Sequence, residues 1–108
     1  AQKKIFVHTI NGTFVGLIQI ENMIVDWCSA TNSRGEDFVI FIDTESRIGI
    51  FEAAKFEKDG SCVIKFIKGQ PGTIALTYNS EFQCIVMLAR KDGILTLYPM
   101  SLDNFSLN

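Results

Sequence analysis

The sequence predicts an all-β protein built from short antiparallel strands. Three observations lead there. Apolar residues make up 47% of the chain and are mainly Ile, Val, Leu and nine Phe, with only two Pro, a bias that suits pleated, half-buried strands. Short apolar runs follow one another with Asn, Gly, Asp and Ser between them, the punctuation of hairpins. No long stretch repeats apolar residues at the 3.6-residue spacing of an amphipathic helix.

The elements follow in order. The runs KIFVHTI and TFVGLIQI meet across Asn11-Gly12, a pair that tolerates the positive φ of a type I′ hairpin turn. MIVDWCSA comes next, then the polar loop TNSRGED, then FVIFI. The turn DTESR leads to IGIFEAA, and the polar link KFEKDGS leads to CVIKFI. KGQPG interrupts the ladder, because Gly and Pro do not continue one. TIALTYN, QCIVMLA and ILTLYPM complete nine candidate strands. FVIFI and CIVMLA are apolar without alternation, so each is expected inside a sheet covered on both faces.

Two of the hairpins repeat. DFVIFIDTESRIGIF lies without a gap over CIVMLARKDGILTLY, 47 positions on, from Phe51 to Tyr98. Phe38, Val39, Ile40 and Phe41 then fall on Ile85, Val86, Met87 and Leu88, and Ile48, Ile50 and Phe51 on Leu95, Leu97 and Tyr98. A partial third copy, 43 positions upstream of Phe51, sets Ile5, Val7 and His8 in the places of Ile48, Ile50 and Phe51. A period in the forties with about four strands per unit is the signature of a β-propeller blade. The expected division is the outer strands of one blade in residues 1–21, a complete blade in 22–68, and a final blade without its outer strand in 69–108. Propellers have about four to eight blades, so a chain of this length is expected to be the carboxyl-terminal part of one. The alternative is a standalone β-sandwich or barrel that binds a small ligand.

The turn chemistry resembles WD repeats, which carry an Asp-Gly turn, alternating apolar residues and then Trp. Asp92-Gly93 with Leu95, Leu97 and Tyr98 fits that pattern, and Glu45-Ser46 with Ile48, Ile50 and Phe51 is a degraded form. The chain lacks the Gly-His and Trp-Asp dipeptides of the general pattern, and Asp26-Trp27 has the reverse order. Within that class, Ile10-Asn11-Gly12, then Ile50-Phe51 with Ala53 and Phe56, then the closing GILTLYPMSLDNF, resemble the last blades of BEACH-domain, neurobeachin-like proteins. The resemblance implies a large cytoplasmic protein with a pleckstrin-like module and a BEACH domain upstream. It implies peripheral action on vesicle, endolysosomal and autophagy membranes, with membrane contact only through those upstream domains, and a propeller that binds proteins and is not an enzyme.

Composition and motifs exclude other classes. A net charge of −2 with scattered Lys and Arg argues against nucleic-acid binding. No run approaches the ~18 apolar residues of a membrane span. Cys28, Cys62 and Cys84 are odd in number, widely spaced and without a C-x-x-C pair, so they read as small buried hydrophobes in a reducing compartment and form neither a disulfide framework nor a zinc site. The sequons at Asn11 and Asn104 read as chance matches. KGQPG has too few glycines for a phosphate loop. His8 reads as an occupant of an aromatic repeat position, Trp27 as a packed residue, and Glu36, Asp37, Asp43 and Glu45 as solvated loop charges. A hydrolase centred on Asp43 would need a constellation that the sequence does not supply. No catalytic, cofactor-binding or metal-ligating residue is assigned. The expected partners are other proteins and further blades of the same propeller. The expected contact residues lie at one rim: Glu21 and Asn22 beside Met23, Thr44 and Glu45 beside Ser46, Lys68 and Gln70 around Gly69, and Arg90 and Lys91 beside Asp92.

Overall fold

A computed structural model describes residues 3–56 and 62–105. It contains nine strands and no helix among those residues: β1 (Lys3–His8), β2 (Phe14–Ile20), β3 (Ile24–Thr31), β4 (Asp37–Asp43), β5 (Arg47–Glu52), β6 (Lys65–Lys68), β7 (Thr73–Asn79), β8 (Cys84–Lys91) and β9 (Ile94–Ser101). They form three antiparallel sheets of two, four and three strands, in the orders β1-β2, β3-β4-β5-β6 and β7-β8-β9. None of the sheets closes on itself, so the barrel alternative is set aside. A two-sheet sandwich has one interface, whereas these three sheets stack through two.

Alternation assigns each side chain to a face. We call the face a sheet turns toward the next sheet in the chain its forward face, and the opposite one its rear face. Ile5 and Val7 of β1 with Ile18 and Ile20 of β2 form the forward face of the first sheet, and they pack on Val39, Phe41 and Phe51 on the rear of the second. The second sheet's forward face carries Cys28, Ala30, Phe38, Ile40, Ile48 and Ile50. It packs on Leu76, Tyr78, Ile85, Met87, Tyr98 and Met100 on the rear of the third. Ile40, Ile42, Ile48 and Ile85 are completely buried, and burying one such side chain is worth about 1.5–3 kcal/mol. Only the second sheet has neighbours on both sides. FVIFI is accordingly buried along most of its length, while in β8 the forward-facing Val86 and Leu88 are left half-buried.

The first strands of the second and third sheets, β3 and β7, lie against each other. Polar bonds fix this contact. Asp26 Oδ2 accepts the Leu76 N–H at 2.8 Å, and Tyr78 Oη donates to the Thr31 carbonyl at 2.7 Å. After β9 the chain turns back: the buried Leu102 donates its N–H to the Gln83 carbonyl, and Phe105 meets Phe38 edge-on at 5.9 Å.

The structure departs from the sequence reading at several points. The Asn11-Gly12 turn is not type I′, because Gly12 has a positive φ (88°) and Asn11 does not. Bonds from Gly12 N–H to Thr9 O and from Thr9 N–H to Thr13 O close a three-residue loop with Gly12 as its bulge. Asp92 (φ 52°) and Gly93 (φ 77°) form the two-residue turn with both φ positive, closed by Lys91↔Ile94. The repeat does need a gap. From Ile42↔Ile48 the first hairpin turns through residues 43–47, whereas from Arg90↔Leu95 the second turns through only 91–94. Ile48, Ile50 and Phe51 keep their partners Leu95, Leu97 and Tyr98. Before the turn, Phe38 corresponds to Val86, Val39 to Met87, Ile40 to Leu88 and Phe41 to Ala89. A slip of one residue exchanges the two faces, and only this correspondence keeps forward positions forward. CVIKFI pairs only from Lys65, and residues 57–61 of the polar link lie outside the described residues, as does residue 106 of the second sequon.

Phe41 and Gly49 are directly paired across β4 and β5. A Cβ on Gly49 would stand 2.1 Å from Phe41 Cζ, so the glycine is the space the ring occupies. Gly49→Val should therefore cost about 1–3 kcal/mol in urea unfolding. Phe41→Leu in the same chain should recover part of that loss, and no recovery would show that the clash is not the cause.

Candidate functional site

Nine antiparallel strands in three sheets put the connections β2–β3, β4–β5, β6–β7 and β8–β9 at one end of the stack. All eight rim residues therefore share that end. Backbone bonds tie the loops together. Thr44 N–H donates to Met23 O (3.0 Å), Gly69 N–H to Ser46 O (2.8 Å), and Arg90 N–H to Gly72 O (3.0 Å). Glu21, Thr44, Glu45, Lys68, Arg90 and Lys91 are exposed. Met23 beside them is 59% exposed. Exposed charges of both signs stand together there: Glu21, Glu45 and Lys68 beside the second sheet, and Arg90, Lys91 and Asp92 on the third.

Asn22 and Gln70 have another role. Asn22 Nδ2 donates to Asp43 Oδ2 (3.2 Å), and the main-chain carbonyl of Gln70 accepts the Thr73 hydroxyl (2.6 Å). Both brace the loops that present their neighbours.

Asp43 organises this end, contrary to its reading as a solvated charge. It is 3% exposed. Its Oδ1 accepts the N–H groups of Glu45 and Arg47, each at 2.9 Å, and its Oδ2 accepts Asn22 Nδ2 and Arg47 Nε (3.1 Å). Burial raises the pKa of the carboxyl, but the bonds from the Arg47 backbone, Asn22, the Arg47 side chain and the Glu45 backbone outweigh burial and hold it below the ordinary Asp value. The signal was present in DTESR: an Asp opening a tight turn caps the N–H groups that follow it. The Arg47 guanidinium, also bonded to Asp43, lies 4.5 Å over the Phe66 ring.

The other acidic residues do not join Asp43. Glu36 and Asp37 stand at the far end of β4, about 20 Å away along a strand of this length. There Asp37 accepts the Thr31 hydroxyl (2.6 Å), and Glu36 accepts Asn32 Nδ2 (2.9 Å) and Arg34 Nε (2.8 Å). Among the described residues no three His, Cys, Asp or Glu side chains form a metal-binding group. Burial, and then the charge of Asp26, push the Cys28 thiol up to about 11, which keeps it protonated and a poor nucleophile at neutral pH.

A second feature lies between the first two sheets. Trp27 is not packed as its neighbours suggested, because it is 61% exposed. It lines an open groove of about 380 Å³ with Phe6, His8, Val39, Phe41 and Phe56 among its walls. His8 meets Phe14 edge-on at 5.6 Å. The groove was not visible in the sequence, since a Trp between apolar neighbours on a strand is ordinarily covered. Among the described residues the first sheet has two strands where the second has four, which leaves this part of the second sheet uncovered.

The chain matches no family model, no curated protein and no solved structure. No helix among the described residues is long and apolar enough to cross a membrane.

The buried Asp43 sets a pH dependence. Its folded-state pKa is depressed, so its contribution is complete above the ordinary Asp range and drains away as pH falls from that range through its own lower value. Asp43→Ala should lose about 1–3 kcal/mol at neutral pH by leaving the turn N–H groups unbonded. Thermal unfolding of Asp43→Asn should show a weaker acid dependence than the wild type across that window. An unchanged acid profile would mean that Asp43 is not the group titrating.

Proposed function

We propose that the chain is part of a protein-binding scaffold, with its sheets serving as blades of a WD-repeat-like β-propeller and its rim loops holding partners. One observation carries the reading. The pairs Ile5/Val7, Ile48/Ile50 and Leu95/Leu97 hold the same place in their sheets and all face forward. The first pair packs on the second sheet. The second pair, 0% and 3% exposed, packs on the third. The third pair is 60% and 65% exposed, which is what a repeating unit shows on a face that no neighbouring unit covers. The rear positions mirror this: Phe51 is covered by the sheet behind it, and His8, with none behind, is exposed.

Stacking of these sheets gathers loops at a shared rim, and loops held by a rigid scaffold are where binding residues concentrate. The BEACH-like motifs make the same proposal specific to a cytoplasmic trafficking scaffold. The rim's exposed Met23 and its interspersed charges of both signs favour a protein partner of mixed charge over a small ligand.

The test is affinity capture. Reversing Arg90 and Lys91 to Glu should lower recovery of the wild-type chain's partners about ten-fold with an unchanged melting temperature. Reversing Glu81, on the β7–β8 turn at the opposite end, should leave recovery as it was. Equal recovery from the rim variant and the wild type would contradict this reading.

A further inference from the structure

The β1–β2 loop holds the only asparagine of the chain that a glycine follows, Asn11-Gly12. Both residues are exposed, and apart from its chain neighbours nothing stands within 4 Å of where a Cβ on Gly12 would lie. The Asn11 amide is held in one orientation. Its Oδ1 accepts the Thr9 hydroxyl and the Thr13 hydroxyl (3.4 Å), and its Nδ2 carries no bond among the described residues. The Thr9 Oγ1 in turn accepts the Thr13 N–H at 3.0 Å, which leaves the Thr9 hydroxyl hydrogen aimed at Asn11. The other described asparagines differ. Asn32 is buried, with both ends of its amide bonded. Asn22 Nδ2 is tied to Asp43, and Asn79 Oδ1 to the Phe82 N–H. Larger residues follow them, as Phe105 follows Asn104.

We propose that Asn11 is a self-modifying site, which converts to aspartate and isoaspartate through a cyclic imide. The Gly12 N–H is bonded to Thr9 O, and at an exposed loop tip such a bond opens locally and frees the nitrogen. That nitrogen loses its proton to solvent base and bonds to Asn11 Cγ. Negative charge moves onto Oδ1, where the two threonine hydroxyls stabilise it. The bond from Cγ to Nδ2 then breaks, and Nδ2 leaves as ammonia with a proton taken from water. Water afterwards opens the imide at either carbonyl, so the whole change consumes a water, releases an ammonia and needs no oxidant. Glycine suits the attacking place because it has no side chain to obstruct ring closure. Opening at the main-chain carbonyl routes the chain through Cβ and Cγ. This lengthens a loop closed by Gly12 N–H to Thr9 O (3.0 Å) and Thr9 N–H to Thr13 O (2.8 Å). The site thereby sets a chemical lifetime for the hairpin whose Ile5, Val7, Ile18 and Ile20 cover Phe41 and Phe51. None of this depends on the propeller reading: the loop lies at the end of the stack opposite the rim residues, so rim capture and this chemistry can fail separately.

The test incubates the 108-residue chain in mildly alkaline buffer, maps the products by peptide mass spectrometry and scores isoaspartate by enzymatic methyl transfer. Loss of ammonia and uptake of water should occur at residue 11 at least about ten-fold faster than at Asn22, Asn32, Asn79 or Asn104. The rate should rise with pH, because the attacking nitrogen must first lose its proton. Thr9→Val should slow the reaction by about two- to ten-fold, the effect on a rate of losing one hydrogen bond. Thr9→Ser, which keeps the hydroxyl, should react as the wild type does. Reaction spread evenly over the asparagines, an intact Asn11 after the others have reacted, or a Thr9→Val rate equal to or above that of the wild type would overturn the proposal.

Discussion

Everything in this structure depends on one constraint: a sheet with two apolar faces must be covered on both. The second sheet meets it over β4 and β5, while Val25 and Trp27 of β3 stay exposed on its rear face. Its rear takes Ile5, Val7, Ile18 and Ile20, and its forward face takes Leu76, Ile85, Met87 and Met100. The outer sheets meet it on one face only. Leu95 and Leu97 of the third sheet, and Phe6 and Phe14 of the first, are left more than half exposed. The stack is accordingly broad and thin, 44 × 36 × 23 Å, with a radius of gyration of 14.3 Å against about 13 Å for a compact domain of this size.

Polar groups give the apolar stack its register. Asp26 and Tyr78 join β3 to β7, and Asp43 gathers Asn22, Glu45 and Arg47 at the rim. Each does what packing alone cannot, since an aliphatic face would tolerate sliding along a strand. The cost of burying the Asp43 carboxylate is offset by four hydrogen bonds, three of them from within its own turn. The same bonds hold the exposed rim side chains on a rigid base.

Much of the fold was legible in the sequence. Alternation and turn residues marked all nine strands, because both are local properties. Asp92-Gly93 was legible for the same reason, as two adjacent residues that accept positive φ. What was not legible depended on neighbours. Asn11 did not adopt positive φ because its loop uses three residues and places Gly12 alone in that region. The missing residue in the second repeat's turn was hidden because Val86, Met87 and Leu88 are all apolar, and either register matches such a run. Trp27 read as packed because its sequence neighbours are apolar, but its exposure is decided by strands the first sheet does not contain. Asp43 read as solvated because its burial comes from Asn22 and Arg47 folding over it. The rim residues were legible as loops, and the braced roles of Asn22 and Gln70 were not.

The most direct test of the central claim compares Ile50→Ala with Leu97→Ala by urea unfolding of the 108-residue chain. The two residues hold equivalent places in successive sheets, and only the first has a sheet over it. Ile50→Ala should lose about 2–5 kcal/mol, and Leu97→Ala should stay within about 0.5 kcal/mol of the wild type. Equal losses at the two positions would contradict the stack, because they would mean that both faces are covered alike.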